Sequence, residues 1–471
     1  MKALTALCAG LAAAAAAGLA ACDHKTPEDA SKTAFASTYT VPAAGRVLIR
    51  GATVLTGIDT KLDDTDVLLA DGKIIGIGKA LAASDATVVE AKGRWLTPGI
   101  IDIHSHLGVY PSPEVWATAD GNELTNPTTP EVWAEHSIWP QDPGFYTARA
   151  GGVTTMEILP GSGNLIGGRG VVIKNVPALS YQAMLFPGAK RTLKMACGEN
   201  PKRVYGLGQK RAPSTGMGNV AGYRAAFAKA TAYRKKWDDW DKKKEGASPD
   251  RDLGLDTLAD VLRGNIIVQM HCYRADQMET MLDVAKEFGF KIAAFHHAVE
   301  AYKIADVLAE TQTCAAMWAD WWGFKLEAWD GIRENIALVD YAKSKAGPGC
   351  AIVHSDDPNG IQRLNQEAAK AMAAGRRAGL TITPEHAMSW LSTNPAKALG
   401  ILDKTGTIEK NKAADVVLWS GDPFSVYTRA DLVWIDGALR YDRAHPAAQP
   451  ESDYLLGADV DEAAAATGEQ P

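Results

Sequence analysis

Between residues 46 and 96 short apolar runs alternate with turn-forming residues: Val47-Leu48-Ile49, Val67-Leu68-Leu69 and Ile74-Ile75-Gly76-Ile77. Asp71-Gly72 sits between the last two, where it predicts a hairpin turn. Residues 401–443 repeat the pattern with Gly406-Thr407-Ile408, Asp415-Val416-Val417-Leu418-Trp419 and Leu432-Val433-Trp434-Ile435 before Asp436-Gly437. Two β-patterned segments that bracket the chain predict one small β-sandwich domain built from both ends, 46–96 with 401–443. The middle, 97–400, alternates strand-like runs (99–104, 153–159, 191–196, 266–271, 291–296, 350–355) with helical periodicity (276–288, 301–310, 364–378, 384–391). Alternating β and α over about 300 residues predicts an α/β protein with a (β/α)8 TIM-type barrel. A doubly wound sheet would alternate in the same way, but no GxGxxG follows the first strand. Residues 206–256, with YRKKWDDWDKKKEG, read as an exposed helical insertion.

The composition narrows the function classes. A hydrophobic fraction of 46% and a charged fraction of 22% exclude a wholly disordered chain and a multi-span membrane protein. A net charge of −7 argues against a nucleic-acid partner and leaves a small-molecule substrate. Residues 1–22 place Lys2 before an uncharged Ala-rich run, the pattern of a signal peptide. Its end, Leu19-Ala20-Ala21-Cys22, resembles a bacterial lipobox. That resemblance implies cleavage before Cys22, lipidation of Cys22, and a cell-envelope protein held to the membrane by its lipid alone. The barrel is then expected on the periplasmic side. Residues 23–45 read as a flexible tether and 444–471 as a C-terminal tail; a homo-oligomer is left open. Cys197, Cys272, Cys314 and Cys350 are widely spaced in apolar stretches without a CxxC. They read as buried free thiols, although export would allow some to pair.

Candidate chemistry starts at Trp95-Leu-Thr-Pro-Gly-Ile-Ile-Asp-Ile-His104-Ser-His106. In a strand, residues i and i+2 face one side, so two imidazoles converge at the end of the first barrel strand. Barrel chemistry sits at that end, and imidazole suits Zn²⁺ and similar metals.

The TPGIIDIHSH run, the GGVTT at Gly151–Thr155 and the closing NPAKALGI at Asn394–Ile401 resemble the amidohydrolase superfamily over about residues 46–443. The likeness is greatest to its imidazolonepropionase-related and dipeptidase-like branch. It implies a metal site of HxH on strand 1, Lys or Glu on strand 3 or 4, His on strands 5 and 6 and Asp on strand 8. The matching positions are His104, His106, Lys194, His271, His297 and Asp356. His296 and His297 face opposite sides of a strand, so one of them enters the site, and the branch pattern aligns with His297. His354, two residues before Asp356, is expected beside the ligands. One βα unit of a barrel averages about 31 residues. Lys194 follows His106 by about three such units, His297 follows His271 by about one, and Asp356 follows His297 by about two. Only the stretch from Lys194 to His271 is long, and it holds the charged insertion.

A lysine in a dry site loses its proton easily, and its free amine can add CO₂ to give a carbamate. Lys194 is therefore expected, carboxylated, to bridge two Zn²⁺ ions, with Glu157 and Glu199 as rival acidic bridges. The resemblance implies hydrolysis of an amide or cyclic amide C–N bond by a metal-activated hydroxide, with Asp356 taking and returning the proton. Deamination is the alternative within the superfamily. It commonly needs a Glu shortly after the strand-5 His, where this chain has Cys272-Tyr273-Arg274-Ala275-Asp276. A non-catalytic binding lipoprotein on the same barrel is the alternative outside it. Arg274, Tyr273 and Tyr302 are candidate substrate contacts. Arg274 is suited to a carboxylate and the Trp residues of MWADWWGFKLEAW to an apolar group, so a dipeptide or N-acyl amino acid is the expected substrate.

Overall fold

The computed structural model describes residues 35–112 and 114–446. Cys22, the signal segment and most of the C-terminal tail lie outside them. Strands β1 (Val47–Leu55), β2 (Lys61–Ala70), β3 (Lys73–Gly78), β4 (Thr87–Glu90) and β5 (Trp95–Pro98) come first. Eight barrel strands follow: β6 (Ile100–Ser105), β7 (Val153–Ile158), β8 (Ile166–Lys174), β9 (Thr192–Ala196), β10 (Ile267–Cys272), β11 (Ile292–His297), β12 (Cys314–Met317) and β13 (Ala351–Val353). The chain closes with β14 (Val416–Trp419), β15 (Ala430–Ile435) and β16 (Ala438–Asp442).

The two chain ends form one hydrogen-bonded sheet in the order β16-β15-β14-β5-β1-β2-β3, with β4 alongside β1. The ends meet where β14 pairs antiparallel with β5, Trp419 opposite Trp95, and Trp419 Nε1 donates to Thr97 Oγ1 at 2.9 Å. Asp71 and Gly72 both take positive φ (51° and 74°), which the tight β2–β3 hairpin requires. Ile49, Val54, Val67, Leu69, Ile74, Leu96, Val416, Leu418 and Trp434 pack as a separate apolar core. The pairings define one sheet, and a division into the two layers of a sandwich does not follow from them.

In the barrel each strand pairs with the next in sequence from β6 to β13. The ring is nearly closed: Asp356 N donates to His104 O at 2.9 Å, joining the end of β13 to β6. One strand departs from a regular (β/α)8 ring, because β8 is antiparallel to both β7 and β9. The expected helical insertion is present. Its main element, Gly216–Lys243, starts at Thr215, whose side chain accepts from Gly218 N. Asn219, Tyr223, Ala226, Phe227, Ala230 and Tyr233 form its buried stripe at helical spacing.

Two expectations are corrected. The sequence predicts a tether over 23–45, yet in its described part, 35–45, Ser37 Oγ donates to Leu185 O, Thr38 N to Gln182 O and Tyr39 Oη to Asp436 Oδ2, so this part lies along the fold. The four internal cysteines are paired, Cys197 with Cys272 and Cys314 with Cys350. Neighbouring parallel strands bring positions far apart in sequence to Cα separations of 5.3 and 4.5 Å.

Candidate metal centre

The sequence places His104 near the end of β6, Lys194 on β9, His271 on β10 and His297 at the last position of β11, with Asp356 just beyond β13. The barrel turns these strand ends inward. His104 Nε2 lies 3.2 Å from His106 Nε2, 3.2 Å from Asp356 Oδ1 and 3.3 Å from Lys194 Nζ. His106 Nε2 is also 3.2 Å from Asp356 Oδ1. Beside this group, His297 Nδ1 is 3.9 Å from Asp356 Oδ2, and the His271 and His297 ring centres are 4.6 Å apart. His271 Nδ1 is buried with no protein partner. Asp356 (φ 61°) and His297 (φ 71°) both hold left-handed backbone, a strained conformation that a functional site can retain.

The ring orientations follow from what lies behind them. His106 Nδ1 donates to Leu159 O at 2.8 Å, which leaves Nε2 with its lone pair toward the cluster. His104 Nδ1 meets His296 Nδ1 at 2.9 Å, and His296 Nε2 meets Gln269 Oε1 at 2.8 Å. With Gln269 Oε1 as acceptor the chain has one polarity: His296 Nε2–H donates to Gln269, and His104 Nδ1–H donates to His296. His104 Nε2 is then unprotonated. His296 has both nitrogens engaged and stands behind the cluster, while His297 enters it. His354 Nε2 contacts His297 Nδ1 at 3.0 Å. Asp102 ties β6 to the segment after β13, because its carboxylate accepts from His104 N, Ser355 N and Ser355 Oγ.

Burial sets the charge states. It drives His104, His271 and His297 well below the ordinary imidazole value, so they are neutral and carry lone pairs at neutral pH. Burial lowers Lys194 to about 8, against the opposing pull of Asp356 and Glu157. Asp356 stays well below the usual carboxylate range: burial raises it, but His297 and His106 outweigh that. The same desolvation pushes Asp102 up to about 7 and Glu157 up to about 8. Two overlapping donor sets can hold an ion, His104 with His106 and Asp356, and His104 with His297 and His354. Neutral imidazoles, a carboxylate and a buried His271 nitrogen without a protein partner fit borderline divalent metals. Glu157 is buried on β7, and Glu199 pairs with Lys325 at 3.3 Å.

A cavity of about 300 Å³ opens on the cluster, lined by His106, Tyr110, Glu114, Ser355, Asp356 and Asp357 among others. Of the three expected substrate contacts, Tyr273 is at the site: its ring stacks on His297 at 5.2 Å and meets His271 edge-on at 4.7 Å. Arg274 turns away and donates to Asp276 at 2.9 Å in an exposed pair. Tyr302 lies against Asp330. Trp318 stacks on His297 at 4.5 Å, while Trp321 stands half exposed beside it. Sequence reasoning missed Gln269, Asp102, Asn200 and Lys325. Gln269 could have been found two residues before His271 on the same strand face, and Asp102 two before His104.

Neutral histidines, a lysine and an aspartate gather at one mouth of an eight-stranded barrel, and the histidines and aspartate could hold a metal ion. The description "Amidohydrolase family" matches residues 343–444. A solved amidohydrolase from Thermotoga maritima shares 37% identity, with a TM-score of 0.77 over 84% of this chain and all of that one. The amidohydrolase tasK of Hapsidospora irregularis is 35% identical over 426 residues, 84% of this chain and 42% of that protein, so the chain spans less than half of that relative's length. An imidazolonepropionase of Mesorhizobium japonicum is 27% identical over 74% of this chain and 84% of its own length. The chain belongs to the amidohydrolase family, whose members hydrolyse carbon–nitrogen bonds.

Proposed function

We propose that this protein is a metal-dependent hydrolase that cleaves the amide bond of a dipeptide or N-acyl amino acid. The observation that carries the proposal is the meeting of His104, His106, Lys194 and Asp356 within 3.3 Å contacts, with His271 and His297 adjoining. These residues would hold one or two Zn²⁺ ions, and Lys194 fits the role of the bridge. Its amine, lowered to about 8, adds CO₂ with loss of one proton to form a carbamate. A bound metal would supply a water of lowered pKa and polarise the scissile carbonyl. Asp356, ionised and touching both His104 and His106, takes the water's proton and passes it to the leaving nitrogen. Tyr273 and Trp318 cover His297 on its faces and limit water there. The pairing of all four internal cysteines supports an oxidising, extracytoplasmic location, which agrees with a lipid anchor at Cys22.

Deamination is less favoured, since Asp276, the only acid shortly after His271, is exposed and paired with Arg274. The test is metal analysis of purified protein beside a hydrolysis screen over dipeptides, N-acyl amino acids and cyclic ureides. Bound transition metal and chelator-sensitive release of an amine are expected. A protein that binds no metal even with zinc and bicarbonate added would instead be a binding module.

A further inference from the structure

The loops after β9 and β12 meet at the mouth of the barrel, and they bring a cation to the edge of the site. Lys325 Nζ lies 4.2 Å above the centre of the Tyr273 ring. It donates to Asn200 Oδ1 at 3.0 Å and lies 3.3 Å from Glu199 Oε1. Tyr273 in turn stacks on His297 and abuts His271, so one aromatic ring separates the ammonium from two of the proposed ligands. The backbone of this platform is fixed from below. The carboxylate of Glu327 accepts from Glu199 N at 3.1 and 2.9 Å and from Gln277 Nε2 at 2.9 Å.

We propose that Lys325 is the residue that recognises the free carboxylate of the substrate, and that the Glu199 side chain occupies its place until substrate arrives. The inference rests on the proposed hydrolysis of a carboxylated amide. Three features lead to it. Lys325 is a mostly buried cation, 19% exposed, one aromatic ring away from the proposed ligands His271 and His297, whereas Arg274 is committed to Asp276 in solvent. Its partner carboxylate is the more exposed of the two, at 34%, and Glu199 is anchored through its backbone N–H. The Glu199 side chain can therefore swing out without disturbing the loop, and a partly solvated ion pair costs less to exchange than a fully buried one. Finally, Trp321 and Phe324 stand half exposed on the same loop, with Phe324 6.2 Å from Tyr273. They offer aromatic faces beside the cation. A substrate with a free carboxylate next to an aromatic or large apolar side chain fits both features.

The experiment compares N-acetyl-L-phenylalanine with N-acetyl-L-phenylalaninamide in the metal-loaded wild type and in Lys325→Met, Lys325→Arg and Glu199→Gln. Turnover gives KM and kcat, and equilibrium dialysis of the two probes gives affinity independently of turnover. Lys325→Met should raise KM and Kd for the acid by about ten- to a hundredfold, the value of one charged hydrogen bond, and leave the amide unchanged. Lys325→Arg should restore much of that loss. Glu199→Gln should move the acid the opposite way, to tighter binding, because it removes the internal competitor. Lys325→Met with wild-type affinity for the acid, or with equal losses for acid and amide, overturns the inference. So does a wild type that fails to bind the acid in dialysis. Lys325-dependent binding of the acid by a protein that cleaves no amide would keep the inference and sink the hydrolytic reading instead.

Discussion

At the barrel mouth His104 and His106 lie 3.2 Å from Asp356. At the seam between barrel and end sheet His386 lies 2.6 Å from Asp59 and 2.6 Å from Asp340. The residue types are the same, but the protons go to different places. At the mouth, burial is the largest influence on His104, and neighbouring Lys194 and histidines act in the same direction, so the imidazole is neutral. At the seam, hydrogen bonding to Asp340 is the largest influence and outweighs a partial burial, so His386 is raised to about 9 and charged. An imidazolium would repel a metal ion, whereas a neutral ring offers a lone pair. The mouth thus offers lone pairs that could receive a cation, and the seam already holds one.

The largest effects should come from breaking the mouth. Asp356→Asn keeps an oxygen that can touch a metal but removes the proton acceptor. It should lose about 10²–10⁴ in kcat while retaining metal content. Lys194→Ala should instead lose metal, and added short carboxylates or Lys194→Glu should partly restore it. Metal stoichiometry measured beside kcat separates the two. Full metal and near-normal turnover in Lys194→Ala would remove the bridge, and normal kcat in Asp356→Asn would remove the proton shuttle.

A smaller effect should follow from the groups that decide which nitrogen of His104 is free. Gln269→Leu removes the acceptor for His296, and His296→Leu removes the acceptor for His104. Each should weaken metal affinity by about 10- to 100-fold, measured by competition with a chelator. A loss confined to thermal stability, with metal affinity intact, would show that the Gln269–His296–His104 chain only fills space.

The proposed ligands were legible because their signal is local. His104 and His106 share a strand face, and the strand ends recur at the spacing of barrel units. What was not legible depends on pairings between distant segments. The run Ile166–Lys174 carries the burial of a strand but nothing that fixes its direction, and it pairs antiparallel on both sides. The cysteine pairs depend on which strands are neighbours. Lys174 reaches across to Asp415 and Asp436, 241 positions away in the first case, at 3.2 and 2.7 Å. Tyr39 meets the same Asp436, and this buried group joins the stretch before β1 to both the barrel and the end sheet. Lys325 lies within MWADWWGFKLEAW, where the tryptophans dominate the pattern, and only the meeting of two loops shows where its charge lies.

The smallest effect tests the seam. A histidine whose folded value is raised to about 9 contributes stability that is fully present below its unfolded value, near 6.5, and is lost as the pH rises through about 9. The sign is the reverse of that for a depressed carboxylate. His386 is about one-third exposed and Asp59 largely so, and solvent screens that pair, so the buried Asp340 carries most of the contribution. Many other groups titrate between pH 6.5 and 9, so the useful quantity is the difference in Tm between wild type and His386→Gln across that range. The wild type should be the more stable at pH 6.5 by about one or two degrees, and the gap should close toward pH 9.5. It should also narrow in 1 M salt, where the Debye length falls to about 3 Å. A gap that stays constant with pH would mean that His386 acts by packing against Trp390, 6.3 Å away, and the contrast between the two histidine clusters would then rest on burial alone.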